Sequence, residues 1–271
     1  MASADSEVMP ERASAAPEIW VGTGWKMNKT IGEAVAYAEA LRAGLKGRAV
    51  SARLFVLPPF TALAAVCEAL QDSAVMVGAQ TMHWADSGAH TGEISAPMLR
   101  DCGAVMVELG HSERRRDCGE TDAAVNLKVG AALRHGLRPL ICVGETAEEK
   151  AAGQAQAVLS RQVTMALREV EPLASGELLL AYEPVWAIGD GGAPAEPSYA
   201  EAMQKHIKEI VAGLGWSEPV PVLYGGSVDA RNCVDFARQA HVDGVFVGRA
   251  AWTVEGFLAV IDAVEGALAG V

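Results

Sequence analysis

Eight short apolar runs recur along the chain, with longer segments of helical periodicity between them, and this alternation constrains the fold more than any other feature. The runs are IWVG (19–22), RLFVL (53–57), AVMVG (74–78), AVMVEL (104–109), RPLICV (138–143), ELLLAY (177–182), VPVLY (220–224) and GVFV (244–247). Most are continuously apolar rather than alternating, as strands of a parallel sheet covered on both faces must be. Parallel neighbours need a crossover, and the Ala-rich segments 31–45, 121–134 and 155–170 supply helices with polar residues on one side only. Thr30-Ile31-Gly32-Glu33 and Thr146-Ala147-Glu148-Glu149 have the form of capping boxes just after strands. Eight strand–helix units close a ring, so the expected class is α/β with a single (β/α)8 barrel, for which 271 residues suffice.

Composition narrows the partners. A formal charge of −12 argues against nucleic acid or an anionic membrane surface, and no run of about eighteen apolar residues offers a membrane span. The five cysteines (67, 102, 118, 142, 233) form neither a C-x-x-C pair nor a His/Cys ligand cluster, so a reduced, cytoplasmic protein without a structural metal is expected. Residues 1–17 lack an apolar signal core and are expected to form a mobile tail, leaving 18–271 as the barrel domain.

In a barrel of this kind the strand C-termini gather at one rim, where sites are built. Lys26 follows the first run in GTGWKMN, His111 the fourth in GHSERRR and Glu183 the sixth, while GGSVD and GRAAW follow the last two. Glu183 is the pointed case, because a carboxylate closes one of the most apolar runs and is followed at once by Pro184 and a glycine-rich stretch. His111 precedes a short helical turn, SERR, whose positive end favours the neutral imidazole. The stretch GTGWKM is not a dinucleotide fingerprint, since Met27 stands at the third glycine position.

WKMN (25–28), SGAHTGEIS (87–95), ELGHSERR (108–115), AYEPVWAIG (181–189) and YGGSV (224–228) together resemble the motifs of the triosephosphate isomerase family, in that family's order and over nearly the whole chain from Ile19. The resemblance implies a cofactor-free TIM barrel that moves a proton between neighbouring carbons of a sugar phosphate through an enediolate. Triosephosphate isomerase is itself the known case of a glutamate base paired with a neutral histidine under a closing loop. By that resemblance Glu183 is the base, His111 the electrophile, Lys26 the cation that stabilises the enediolate and Glu113 its partner. Backbone N–H groups of Gly189, Ser227, Gly248 and residue 249, beside Gly226, hold the phosphate, 184–194 is the lid, and loop 81–95 is an arm that docks into a second copy of the chain.

Three positions depart from the family's pattern. Gly24 replaces the asparagine before WKMN, which in the family meets a threonine of the partner's arm, matched here by Thr91. Arg249 replaces the second glycine of V-G-G, and Asp190-Gly191-Gly192-Ala193, followed by Pro194, replaces the lid's T-G-K-T. A small residue before WKMNKT together with V-G-R-x-A-W is similar to the branch of the family that isomerises erythrulose phosphates. This implies conversion of L-erythrulose 1-phosphate to D-erythrulose 4-phosphate, with the extra hydroxymethyl group received in space left by Gly24. Triose phosphate is the alternative substrate, because every acid/base residue is kept; a phosphate-metabolite binding barrel without catalysis is the other class.

Overall fold

A computed structural model of the chain describes residues 18–174, 176–189 and 192–269. The expected tail at 1–17 and lid residues Asp190 and Gly191 lie outside the described residues. Eight parallel strands close in sequence order: β1 (Trp20–Gly24), β2 (Arg53–Leu57), β3 (Val75–Ala79), β4 (Met106–Leu109), β5 (Arg138–Val143), β6 (Leu179–Tyr182), β7 (Val222–Tyr224) and β8 (Gly244–Val247). The ring is sealed by β8 against β1, with Trp20 opposite Gly244 and Thr23 opposite Val247. All eight apolar runs became strands, several starting one or two residues inside the run.

Strand parity sorts the side chains. Ten residues from alternate positions, including Trp20, Phe55, Met106, Leu140, Cys142, Leu179, Ala181, Leu223 and Phe246, form a core of their own inside the barrel. Their neighbours Val21, Val56, Val107, Ile141, Leu180 and Val245 join the larger core shared with the helices. Continuing the same parity to the C-terminal rim turns Gly24, Glu108, Glu183 and Gly225 inward. The top of the barrel interior is therefore glycine and carboxylate where the layers below are apolar.

Helix starts follow the capping chemistry. Thr146 accepts the Glu149 N–H at 3.2 Å while the Glu149 carboxylate accepts the Thr146 N–H at 2.8 Å, and the Glu33 carboxylate accepts the Thr30 N–H at 2.7 Å. Helix Ala155–Ala166 ends earlier than its periodicity suggested. Glu169 takes a left-handed conformation, φ 58°, and Pro172 follows, so the chain leaves the helical path there. Among the described residues no helix is long and apolar enough to cross a membrane.

Candidate active site

All ten residues expected at the site line one cavity of about 840 Å³ at the C-terminal rim: Gly24, Lys26, His111, Glu113, Glu183, Gly189, Gly226, Ser227, Gly248 and Arg249. A neighbouring cavity of about 510 Å³ also reaches Glu183 and Val185; there Asp122 pairs with Arg115 and Arg161, and neither Lys26 nor His111 lines it.

Lys26 stands just beyond β1 with φ 52°, a left-handed backbone that a lysine adopts only when its surroundings impose it. Gln80 imposes it by donating to the carbonyls of Lys26 at 3.0 Å and Leu57 at 2.9 Å, and Asn28 donates to the Trp25 carbonyl at 2.8 Å. Held this way, the Lys26 ammonium meets the Glu113 carboxylate at 2.7 Å. The pair is only partly screened from solvent, so its role is to aim the charge rather than to add much stability.

His111 is the N-cap of helix Ser112–Cys118, and its Nδ1 accepts the Glu113 N–H at 3.1 Å. In the neutral ring Nδ1 therefore carries no proton, and the ring's one proton sits on Nε2, 3.6 Å from the Glu183 Oε2. The helix end was expected to favour the neutral ring, and the cap bond does so. Burial also disfavours the charge, but the Glu183 and Glu108 carboxylates favour it, and the balance lies above the ordinary imidazole value. In either state Nε2 presents a hydrogen to the cavity.

Glu183 is buried, and among the described residues its Oε2 has no hydrogen-bond partner. The space for it is made by Gly225, where a Cβ would stand 2.7 Å from the Glu183 Cγ. A buried carboxylate oxygen without a donor is unfavourable for stability and suited to taking a proton. Just past Glu183 the chain is anchored: Trp186 donates to Glu145 at 2.9 Å, Tyr199 donates to the same oxygen at 3.0 Å, and the Lys150 ammonium lies 3.3 Å from the Trp186 ring centroid. On the far side, the Ser227 hydroxyl contacts the carbonyls of Ala187 at 2.8 Å and Gly192 at 3.2 Å, tying both flanks of the segment expected to be the lid to the loop after β7.

The sequence reading missed Glu108. It lies within the quoted motif ELGHSERR, yet a carboxylate inside an apolar run is the same signal that singled out Glu183, and its even spacing from Met106 places it on the inward face. Glu108 is 5 % exposed and lines the cavity. Burial, partly offset by His111 and reinforced by Glu183, pushes its carboxyl up to about 7. Its Oε1 accepts from the Cys142 thiol at 3.5 Å. Glu108, Cys142 and Glu183 bring potential ligand atoms within 4.8 Å of one another, but burial beside two carboxylates keeps the proton on Cys142 and makes it a donor here. The space expected beside Gly24 is also bounded: a Cβ there would lie 3.1 Å from the Phe246 ring and 3.9 Å from Glu108 Oε2.

A base, an N–H donor and an ammonium converge on a cavity rimmed by glycine-rich loops, an arrangement able to remove a proton beside a carbonyl and hold the resulting oxyanion. The family model for triosephosphate isomerase matches residues 19–264. An L-erythrulose-1-phosphate isomerase from Mesorhizobium japonicum is 53 % identical over 250 residues, covering 92 % of this chain and 98 % of that protein. One of the same name from Rhizobium rhizogenes is 50 % identical over 258 residues, covering 95 % and 98 %. The crystal structure of triosephosphate isomerase from Bartonella henselae superposes with a TM-score of 0.82 at 34 % identity, covering 91 % of this chain and 98 % of that one.

Proposed function

This chain belongs to the triosephosphate isomerase family, and from that premise we propose that it interconverts L-erythrulose 1-phosphate and D-erythrulose 4-phosphate. The observation that carries the reading is the joint presence of an intact acid/base set, Lys26, His111 and Glu183, in one cavity and about half-identity to L-erythrulose-1-phosphate isomerases over more than nine-tenths of the chain.

The ketose carries its carbonyl at C2. Glu183 takes the proton from C3, the electron pair forms the C2–C3 double bond, and charge moves onto O2 as an enediolate. His111 Nε2–H and the Lys26 ammonium donate to the two oxygens, stabilising the charge and passing a proton between them. Glu183 returns its proton to C2 and the carbonyl appears at C3; renumbered from the other end, the product is the 4-phosphate. The phosphate is held by backbone amides of Gly189, Gly226, Ser227, Gly248 and Arg249, a local anion site that an acidic protein needs. Arg249, exposed at the rim, brings a guanidinium to the same loops. Residues 184–194 close over the enediolate and keep water out.

Self-association completes the reading. Loop 81–95 is rooted by the His83 N–H donating to the Ile94 carbonyl at 2.8 Å and stiffened by His83 stacked between Trp84 and His90, while its tip at 86–93 is exposed. Met27, next to Lys26, is 96 % exposed, an apolar side chain that a second copy would cover. The five free cysteines fit a reducing, cytoplasmic setting.

The test is isomerisation in D2O followed by NMR. Deuterium is expected at the carbon that receives the proton, with formation of the 4-phosphate, and neither is expected with Glu183→Gln. Product formed at the normal rate by Glu183→Gln would remove Glu183 from the role of base.

A further inference from the structure

Glu108 takes no part in the proton transfer described above, yet it stands in the cavity that performs it. It projects inward from β4, the strand across the eight-membered ring from β8, after which one of the glycine-rich loops follows. Among the described residues its side chain accepts one hydrogen bond, from the weak Cys142 thiol donor at 3.5 Å, and a carboxyl has room for several more. Its other oxygen lies toward Gly24, where a Cβ would stand 3.9 Å from it and 3.1 Å from the Phe246 ring. A buried carboxyl set among His111, Glu183, Lys26 and the Cys142 thiol, with one oxygen reachable from the substrate cavity, is placed to hydrogen-bond a substrate hydroxyl or amine.

We propose that Glu108 is the specificity-determining residue of this site: its carboxyl hydrogen-bonds the terminal hydroxyl of the four-carbon ketose phosphate, in the niche bounded by Gly24 and Phe246. The assignment rests on the four-carbon substrate proposed above. At this place a triose phosphate offers only the hydrogen of its aldehyde carbon, which cannot satisfy the carboxyl, whereas a hydroxymethyl group brings an oxygen and a donor proton. Sites built to hydrogen-bond a substrate hydroxyl discriminate strongly against analogues lacking it, because a buried polar group is then left unpaired. A carboxyl that is half-protonated near neutral pH serves in both forms, accepting the hydroxyl proton when ionised and also donating when protonated. Gly24 is necessary to this arrangement, since any side chain there enters the niche.

The experiment measures kcat/KM on L-erythrulose 1-phosphate and on D-glyceraldehyde 3-phosphate for the wild type, Glu108→Leu and Glu108→Gln. The tetrulose-to-triose ratio is expected to fall at least about tenfold in Glu108→Leu and to be largely restored in Glu108→Gln, which keeps the shape and an acceptor. A Glu108→Leu ratio equal to that of the wild type overturns the assignment and leaves the substrate reading intact. A wild type inactive on the four-carbon substrate overturns both. A further comparison needs no variant: the analogue of D-erythrulose 4-phosphate with methyl in place of the terminal hydroxymethyl is expected to be turned over by the wild type at least about tenfold less efficiently. Equal turnover of that analogue would overturn the hydrogen bond.

Discussion

Two carboxylates share the floor of the cavity, and their neighbours give them different work. Glu183 keeps an oxygen without a donor among the described residues, facing the His111 ring. In the mechanism proposed here Glu183→Gln should retain substrate binding while kcat falls by about 10²–10⁴ or more, the usual contribution of a positioned base; single-turnover kinetics with a separate binding titration check this. Glu108 is held up at about 7 from an ordinary 4.5, chiefly by burial. A carboxyl raised in the folded state binds its proton more tightly there than in the unfolded chain. Its contribution to stability is thus complete below the unfolded value and lost as pH rises through about 7. Between pH 4.5 and pH 8 the wild type should lose stability relative to Glu108→Gln, measured by denaturant unfolding; parallel pH profiles would contradict this. Gly24→Asn should push a side chain against Phe246 and Glu108 and depress tetrulose phosphate turnover more than triose phosphate turnover. An equal loss on both substrates would separate Gly24 from substrate choice. Lys26, His111 and Glu183 were legible because each follows an apolar run at the rim, whereas Glu108 was hidden inside one.

At the scale of elements, capping and parity explain what the sequence made visible. The eight runs predicted the strands because a parallel strand covered on both faces has to be apolar throughout, and the Thr146 capping box predicted a helix start that the hydrogen bonds bear out. The end of helix Ala155–Ala166 was less legible, since periodicity carries on past the left-handed turn at Glu169. The anchoring of the lid was not legible at all. Glu145, from the loop after β5, gathers Tyr182, Trp186 and Tyr199 through contacts 37 to 54 residues apart in sequence. Trp186→Phe removes the indole donor from this cluster while keeping an aromatic ring beside Lys150. If this anchor sets lid closure, kcat should fall by about tenfold with a smaller change in substrate binding, because a hydrogen bond to a charged group contributes about 1.5–3 kcal/mol. Unchanged kcat would assign Glu145 to structure alone.

The whole molecule is a closed barrel whose interior changes character along its axis, from aromatic and aliphatic layers to a rim of glycine and carboxylate. The layers below hold the strands rigidly, and the rim can then bear a buried, poorly satisfied Glu183 and a strained Lys26 because the fold around them is overdetermined. The arm at 81–95 and the exposed Met27 belong to this scale too. Shortening the exposed tip 86–93 should convert the assembly to monomers in sedimentation experiments at micromolar concentration, and an unshortened chain that sediments only as a monomer would contradict the proposed self-association. The function proposed here keeps the family's acid/base apparatus while the wall formed by Gly24, Glu108 and Phe246 selects a four-carbon ketose phosphate. Its most direct test is kcat/KM of the wild-type protein on L-erythrulose 1-phosphate and D-glyceraldehyde 3-phosphate under identical conditions. A strong preference for the four-carbon substrate is the predicted result, and a strong preference for the triose would contradict the claim.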